Sequence, residues 1–387
     1  MPTTPNVPSA KPLISIVIPC LNEEKTIGSV IKEAKDGFER AGYPFEILVA
    51  DNGSKDRSRA IARTAGARVI PVEKRGYGVA LREGIRQARG EIVLFGDADL
   101  TYDFKQGPAL VDRLLQGDVE LVIGTRLKGS IEVGAMPLWH RYIGTPALSY
   151  LIDFLFDAKI SDSNSGFRTF RRRRFLDWDI RSNGMEICSE VLVNCLKTGN
   201  RVAEVPITLR KNPEGRIPHL STWRDGMRNL FIILSRAPHG FSYLGVALLL
   251  ASLVVAVPSA LVGHVTIGPF SLFEHHSMIL AILIGYLGSQ LIFYGLLLDA
   301  SSKRPLAFNR HLLQIHEVHL LVLLGAVLFL TASFIVFLFV RWIQHHFNNI
   351  NYLLPGLSVL YCAVVLGNLG FGIFIVRVQR DVPAPHE

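Results

Sequence analysis

Charge is scarce in this chain of 387 residues: Asp, Glu, Lys and Arg make up 19% of it, against 49% hydrophobic residues. Mean hydropathy is +0.30. Only 6 Lys or Arg and 5 Asp or Glu lie beyond residue 239. Such a composition excludes a disordered chain and an ordinary soluble domain alike. Cysteine is scarce too, and Cys20, Cys188, Cys195 and Cys362 are too scattered for a disulfide framework or a zinc site. The first residues, Met1 to Asn6, lack the apolar stretch of a signal peptide, so 1–12 reads as a loose tail. No internal repeat is visible. A net charge of +8 is no nucleic-acid footprint by itself; no nucleic-acid partner is expected, and a membrane-associated protein of anionic ligands fits better.

What is there in quantity is long apolar runs. Residues 241–263, 277–299, 318–340 and 353–376 each offer enough residues to cross a hydrocarbon core of about 30 Å. Lys303, Arg304 and Arg310 lie in the second connection, and Arg377 and Arg380 lie in the tail 377–387. The first connection has no Lys or Arg and the third has only Arg341. The asymmetry predicts a multi-pass protein of the cell membrane, with the N-terminal region, middle loop and C-terminal tail cytoplasmic.

Before the spans, short apolar runs at Leu13–Pro19, Phe45–Ala50, Ala67–Pro71, Glu91–Phe95 and Leu121–Gly124 read as strands buried on both faces. Ile27, Val30, Ile31, Ala34 and Phe38 recur at helical spacing, and 76–89 and 106–116 read as further helices. The alternation predicts an α/β domain over 13–220 with one parallel-rich sheet between helices and functional loops at the carboxyl ends of the strands. Two segments look amphipathic: Leu138 to Phe156, with Leu148, Leu151, Ile152 and Leu155 on an apolar side, and Trp223 to Leu234 within a juxtamembrane stretch 221–240.

The loops after the expected strands carry the chemistry. Pro19-Cys20-Leu21-Asn22-Glu23-Glu24 ends the first strand and Asp51-Asn52-Gly53-Ser54-Lys55-Asp56 the second. Gly96-Asp97-Ala98-Asp99 ends the strand at 91–95. Two carboxylates one residue apart repel unless a cation separates them, and hard oxygen ligands select Mg²⁺ or Mn²⁺. Further on stand Gly76-Tyr77-Gly78-Val79-Ala80-Leu81-Arg82, Gly124-Thr125-Arg126, Asp162-Ser163-Asn164-Ser165-Gly166-Phe167-Arg168 and Glu204-Val205-Pro206-Ile207.

In this order, the set resembles glycosyltransferase family 2, and within it the dolichyl- or polyprenyl-phosphate sugar synthases, over about residues 13–230. The resemblance implies an A-type glycosyltransferase fold, here followed by an all-α membrane domain of four helices. It implies that Pro19, Glu23 and Asp51 line a nucleotide-sugar pocket, with Leu21, Asn52, Gly76 and Ala98 beside them, and that Asp97 and Asp99 hold the metal on the diphosphate. It further implies that Arg126, Arg141, Arg168 and Arg210 meet the acceptor phosphate and that Asp162 faces the reacting centre, with Arg126 beside it. Four positions depart from the pattern. Leu21 stands where many relatives have Tyr, Asn52 replaces a common second Asp, Thr101 replaces a metal-binding Gln for which Asp103 could substitute, and 210–216 matches the acceptor loop only loosely.

The reaction implied is inverting transfer of a hexose, from a donor of the UDP-glucose or GDP-mannose type, to polyprenyl or dolichyl phosphate at the cytoplasmic leaflet. The acceptor is already anionic near neutral pH, its second pKa being about 6. It therefore needs cationic, forked partners more than a strong base. The Arg171–Arg174 run offers such cations, or else a solvated face. Two alternatives stand beside this reading. One is a processive polysaccharide synthase of the same fold, although no Gln-X-X-Arg-Trp precedes the spans. The other is a non-catalytic membrane protein that scaffolds or moves lipid-linked sugars. A four-span protein of this kind could also assemble into a homo-oligomer in the bilayer.

Overall fold

The computed structural model describes residues 13–213, 222–261, 265–267, 270–272, 275–300, 311, 314–344 and 353–381. The expected tail 1–12, residues 214–221, the connection carrying Lys303, Arg304 and Arg310, and the chain after Asp381 lie outside the described residues. The chain divides into two units, Met1–Arg236 and Ala237–Glu387.

The first unit is built on seven strands: β1 (Ile14–Cys20), β2 (Phe45–Asp51), β3 (Arg68–Pro71), β4 (Ile92–Phe95), β5 (Leu121–Ile131), β6 (Arg168–Arg171) and β7 (Val202–Leu209). They lie in the order β3-β2-β1-β4-β6-β5-β7. Every residue of β1 is buried, which is why its sequence runs apolar without alternation. Strands β1, β2, β3 and β4 pair in parallel, so their carboxyl ends open on one edge. Strand β6 runs antiparallel between β4 and β5, and β7 pairs in parallel with β5.

Strands β6 and β7 were not among the expected strands, and β5 runs beyond Gly124. The Arg-Thr-Phe-Arg of β6 carries charge at both ends, and β7 contains Pro206, which an edge strand tolerates because one of its sides needs no ladder bond. The placement of β6 decides the site. Its antiparallel run sets Arg168 opposite Phe95 and Arg171 opposite Ile92. The loop before β6 therefore meets the loop after β4, whereas the Arg171–Arg174 run sits at the far end of the sheet, where Arg174 pairs with Glu120 at 3.2 Å.

Helices cover the sheet: α1 (Ile27–Arg40), α2 (Ser58–Thr64), α3 (Tyr77–Gln87), α4 (Gly107–Leu115), α5 (Thr145–Phe156), α6 (Arg172–Asp177), α7 (Ile187–Lys197) and α8 (Thr222–Ser235). The expected apolar face of α1 is its buried face: Ile27, Val30, Ile31, Ala34 and Phe38 are all inaccessible. Full burial of each large member contributes about 1.5–3 kcal/mol. Helix α5 buries Ile152 and Leu155 together with Thr145 and Ser149, and leaves Tyr150 and Phe154 exposed, each at 73%.

The second unit holds α9 (Pro238–Leu261), a short hairpin of Val265–Ile267 with Phe270–Leu272, α10 (His275–Ala300), α11 (Glu317–Gln344) and α12 (Leu353–Asp381). Among the described residues these four helices are long and apolar enough to cross a membrane, so the chain is a multi-pass membrane protein. Polar side chains inside the unit satisfy one another, as apolar surroundings require. Ser252 meets Tyr361 at 2.7 Å. Gln290 donates to Asn368 at 2.9 Å, and Asn368 donates to Ser289 at 2.6 Å.

Candidate active site

The first two loops interlock. Ser54 accepts the Asn22 N–H at 2.9 Å, Asn22 Oδ1 accepts the Lys55 N–H at 2.8 Å, and Ser58 accepts the Glu23 N–H at 2.8 Å. Asn22 adopts a left-handed conformation, φ 57°, which asparagine tolerates because its side chain bonds locally. Asp51 is buried at the end of β2. Its carboxylate accepts the N–H groups of Gly53 and Ser54 and takes the Arg59 Nε at 2.5 Å. Asn52 ties this loop to the next: its amide donates to Lys74 O at 2.8 Å and its Oδ1 accepts the Gly76 N–H at 2.7 Å. Leu21, Glu23, Asp51, Asn52 and Gly76 thus form one connected rim at the carboxyl ends of β1 and β2, while Pro19 lies buried within β1.

Asp97 and Asp99 follow β4, with Ala98 buried between them. Tyr77 donates its hydroxyl to Asp97 Oδ1 at 2.7 Å. Thr101 donates both its N–H and its hydroxyl to Asp99 Oδ1, at 3.0 and 2.5 Å. Leu100, between Asp99 and Thr101, has φ 66°, a strained conformation of the kind that persists where surrounding contacts over-determine the backbone. Burial, then the neighbouring Asp97 charge, raises the Tyr77 phenol well above its ordinary pKa, so Tyr77 stays a donor.

Across from Asp97 lies the loop before β6. A methyl group on Gly166 would stand 3.1 Å from Asp97 Oδ2. The Gly166 N–H donates to the Tyr102 hydroxyl at 2.8 Å, and the Tyr102 ring stacks on Phe167 with centroids 5.5 Å apart. In the same loop Asp162, inaccessible to solvent, is gripped by Arg126. The Arg126 Nε and Nη2 donate to its two oxygens at 2.7 Å each, and the Arg126 N–H adds a third bond at 2.9 Å. Glu204 on β7 accepts the N–H groups of Ser161 and Asp162 at 2.8 and 3.0 Å. Ser149 on α5 donates to Ser161 O and accepts the Ser163 N–H, both at 3.1 Å.

The structure separates the four arginines expected at the acceptor. Arg126 is forked onto Asp162. Arg168 is fully buried, and its guanidinium donates to the carbonyls of Ser165, Cys188 and Ser163 at 2.7, 2.5 and 2.6 Å. Three of its five N–H donors meet carbonyls and none of the side chain is open to solvent, so it holds the 163–168 loop together. Arg210 pairs with Glu33 and Asp103 at 2.7 Å each, which commits its fork as well. Arg141 alone of the four makes no ion pair among the described residues; its guanidinium lies 5.4 Å from the Tyr142 ring centroid.

Asp97 and Asp99 could hold a hard divalent cation. Asp103, which could have substituted for the missing Gln, is turned onto Arg210, and among the described residues no group of three His, Cys, Asp or Glu forms a metal cluster. Two carboxylates steadied by neighbouring hydroxyls suit an ion that completes its shell with water and substrate phosphate. Sequence reasoning missed the supporting residues Tyr77, Tyr102, Glu204 and Cys188. Gly76-Tyr77-Gly78 and the Glu204 segment were visible as motifs, but nothing local shows what their side chains reach.

Residues 15–178 match the model of Glycosyl transferase family 2. The chain is 36% identical over 267 residues to the low-salt glycan biosynthesis hexosyltransferase Agl6 of Haloferax volcanii, covering 66% of this chain and 64% of that protein. It is 33% identical over 198 residues to a dolichyl-phosphate hexose transferase of Haloferax volcanii, covering 51% of this chain and 83% of that protein. Among solved structures, the glucosyl-3-phosphoglycerate synthase of Mycobacterium tuberculosis, crystallised with Mn²⁺, UDP and glucosyl-3-phosphoglycerate, is 25% identical. It superposes with a TM-score of 0.48 over 58% of this chain and 80% of that one. Its mixed, parallel-rich sheet is followed by four apolar helices among the described residues, and the chain belongs to glycosyltransferase family 2 and is a glycosyltransferase.

Proposed function

We propose that this chain moves a hexose from a nucleotide-sugar of the UDP-glucose or GDP-mannose type to polyprenyl or dolichyl phosphate, with inversion, at the cytoplasmic leaflet. The observation that carries the reading is the surface beside Asp162. Helix α5 grips the Asp162 loop through Ser149 on its inner side and turns Tyr150 and Phe154 outward. Leu138, Trp139, Tyr142 and Ile143, just before it, are exposed as well. A sugar acceptor free in water needs no such apolar collar, whereas an amphiphilic anion drawn from a bilayer does. Met227 and Phe231, exposed on α8, add to the same argument. The relative named as a dolichyl-phosphate hexose transferase supports this class of acceptor.

An acceptor phosphate oxygen forms the new bond to the anomeric carbon as the bond from that carbon to the diphosphate oxygen breaks, and the nucleoside diphosphate leaves. A divalent cation held by Asp97 and Asp99 would neutralise charge developing on that leaving group. Tyr77 and Thr101 keep the two carboxylates in place through their hydroxyls. The interlocked 20–26 and 51–58 loops shape the donor pocket, with Arg59 balancing Asp51. Asp162 and Arg126 orient one another and lend the acceptor side a rigid, charge-balanced wall, and Arg141 offers the phosphate an uncommitted guanidinium. The basic residues between the second and third spans and after the fourth support a cytoplasmic site.

The test is direct. Purified protein incubated with a panel of nucleotide-sugars, Mg²⁺ or Mn²⁺ and undecaprenyl phosphate should yield a β-linked glycolipid. Hydrolysis of every donor without lipid product, or transfer to a water-soluble sugar instead, would overturn the assignment.

A further inference from the structure

Gly76-Tyr77-Gly78 is too short to be a phosphate-binding fingerprint, yet its geometry is tightly constrained. The Gly78 N–H donates to Asn183 O at 2.9 Å. A methyl group on Gly76, whose φ is +141°, would stand 2.3 Å from Asn183 O, and one on Gly78 would stand 2.5 Å from Ser182 O. Only glycine lets the 180–184 loop press this closely on the start of α3. Between the two glycines, Tyr77 reaches Asp97. Arg82, one turn further along α3, donates to Asn183 Oδ1 at 2.8 Å and to Ile180 O at 3.3 Å.

The 180–184 loop is also held by Glu190, a carboxylate only 1% exposed on α7. Its Oε2 accepts the N–H groups of Arg181 and Ser182 at 3.0 and 2.8 Å, and its Oε1 takes the Arg236 guanidinium at 2.6 Å. A buried carboxylate without its cation is strongly unfavourable, so Glu190 keeps its place only while Arg236 keeps its own. Next to it Ser189 donates to Asn229 on α8 at 2.8 Å. Arg236 lies two residues ahead of Pro238, where the first apolar helix begins.

We propose that Arg236 and Glu190 form a brace that positions Asp97. Glu190 sets the 180–184 loop, the loop sets Gly76 and Gly78, and Tyr77 between them holds the carboxylate. The contacts are consecutive and all lie in the first unit. Neither residue touches the reacting atoms, so both are positioning residues. The inference rests on the metal-holding role of Asp97 in the function proposed above, and deepens it.

The experiment titrates Mn²⁺ into the full-length protein in detergent, once with UDP and once with GDP, and reads bound ion by electron paramagnetic resonance. Supporting hydrogen bonds around a metal ligand are worth about 10–100-fold in affinity. Y77F and R236A are each expected to weaken Mn²⁺ binding at least several-fold, with R236K restoring part of the loss. The double variant Y77F/R236A should bind no worse than Y77F, because both changes break one linkage. Losses that multiply in the double variant, or R236A binding Mn²⁺ like wild type, overturn the brace. Glu190→Gln, which keeps the side-chain volume and one acceptor oxygen, replaces R236A in the same comparison if R236A fails to fold. D97N separates the two levels: equal binding by D97N and wild type defeats the metal assignment itself, whereas loss in D97N with retention in R236A and E190Q defeats only the brace.

Discussion

Arg168 offers the sharpest test of what the structure adds. Replacing it with methionine keeps an elongated side chain of similar reach but removes three N–H donors that meet carbonyls at 2.5–2.7 Å. Hydrogen bonds involving a charged group are each worth about 1.5–3 kcal/mol net. Three of them, offset by the cost of keeping a guanidinium out of water, leave about 3–5 kcal/mol as the three buried carbonyls lose their donors. For a unit of this size that corresponds to a drop in Tm of roughly 6–20 °C. Thermal unfolding of the detergent-solubilised chain, followed by near-UV circular dichroism, measures it. Arg168→Lys should fall between wild type and Arg168→Met, since one ammonium cannot serve three carbonyls in a planar fork. If Arg168→Met melts within about 2 °C of wild type while losing glycosyl transfer, Arg168 is a ligand-facing residue and the structural role assigned to it is wrong.

Asp99→Asn should reduce turnover at least about 100-fold, the scale of losing one electrostatic stabiliser, with the melting temperature little changed; near-normal activity would rule out its metal role. Arg126→Ala should slow transfer to lipid more than it weakens donor binding. It should also destabilise the protein by about 3–5 kcal/mol, because Asp162 would be left buried without its cation; equal losses in transfer and in donor binding would contradict the assignment. His140 is held below the usual histidine pKa by burial and then by the nearby Arg126 charge. As pH falls from about 6.5, the unfolded chain takes up a proton that the folded chain refuses, so stability is lost over that window. His140→Gln should flatten the decline of Tm between about pH 6.5 and 5, and an unchanged slope would remove His140 from the account.

Much of the fold was legible along the chain. Strands β1 to β4 announce themselves as apolar runs because both faces of a parallel sheet are covered, and α1 shows its buried face as a repeat at helical spacing. The four spans are legible for the same reason, since hydrocarbon admits little else. Strands β6 and β7 were not legible. Arg-Thr-Phe-Arg looks like a solvated segment until its neighbours are known, and a strand that includes Pro206 reads as broken until it is seen at the sheet edge. The amphipathic segment at 138–156 was recognised, but its orientation was not. The side holding Ile152 and Leu155 turns inward, and the exposed aromatics are Trp139, Tyr142, Tyr150 and Phe154.

At the site, Asp97 and Asp99 could be singled out from sequence as a candidate cation site because two neighbouring carboxylates at a strand end repel one another unless a cation separates them. Glutamate, tyrosine and arginine roles could not. The Glu190 carboxylate is an ordinary helical residue in sequence and a buried anchor in space. Arg126, Arg141, Arg168 and Arg210 are chemically identical on paper. Their differences arise from whether Asp162, three carbonyls, a carboxylate pair or, among the described residues, no ionic partner surrounds the guanidinium. Local pattern therefore determined the membrane spans, the strand and helix alternation and the carboxylate pair, because each follows from solvent exposure or charge repulsion over a few residues. Tertiary structure alone decided which cations are committed, since that depends on strands inserted from far along the chain, β6 above all.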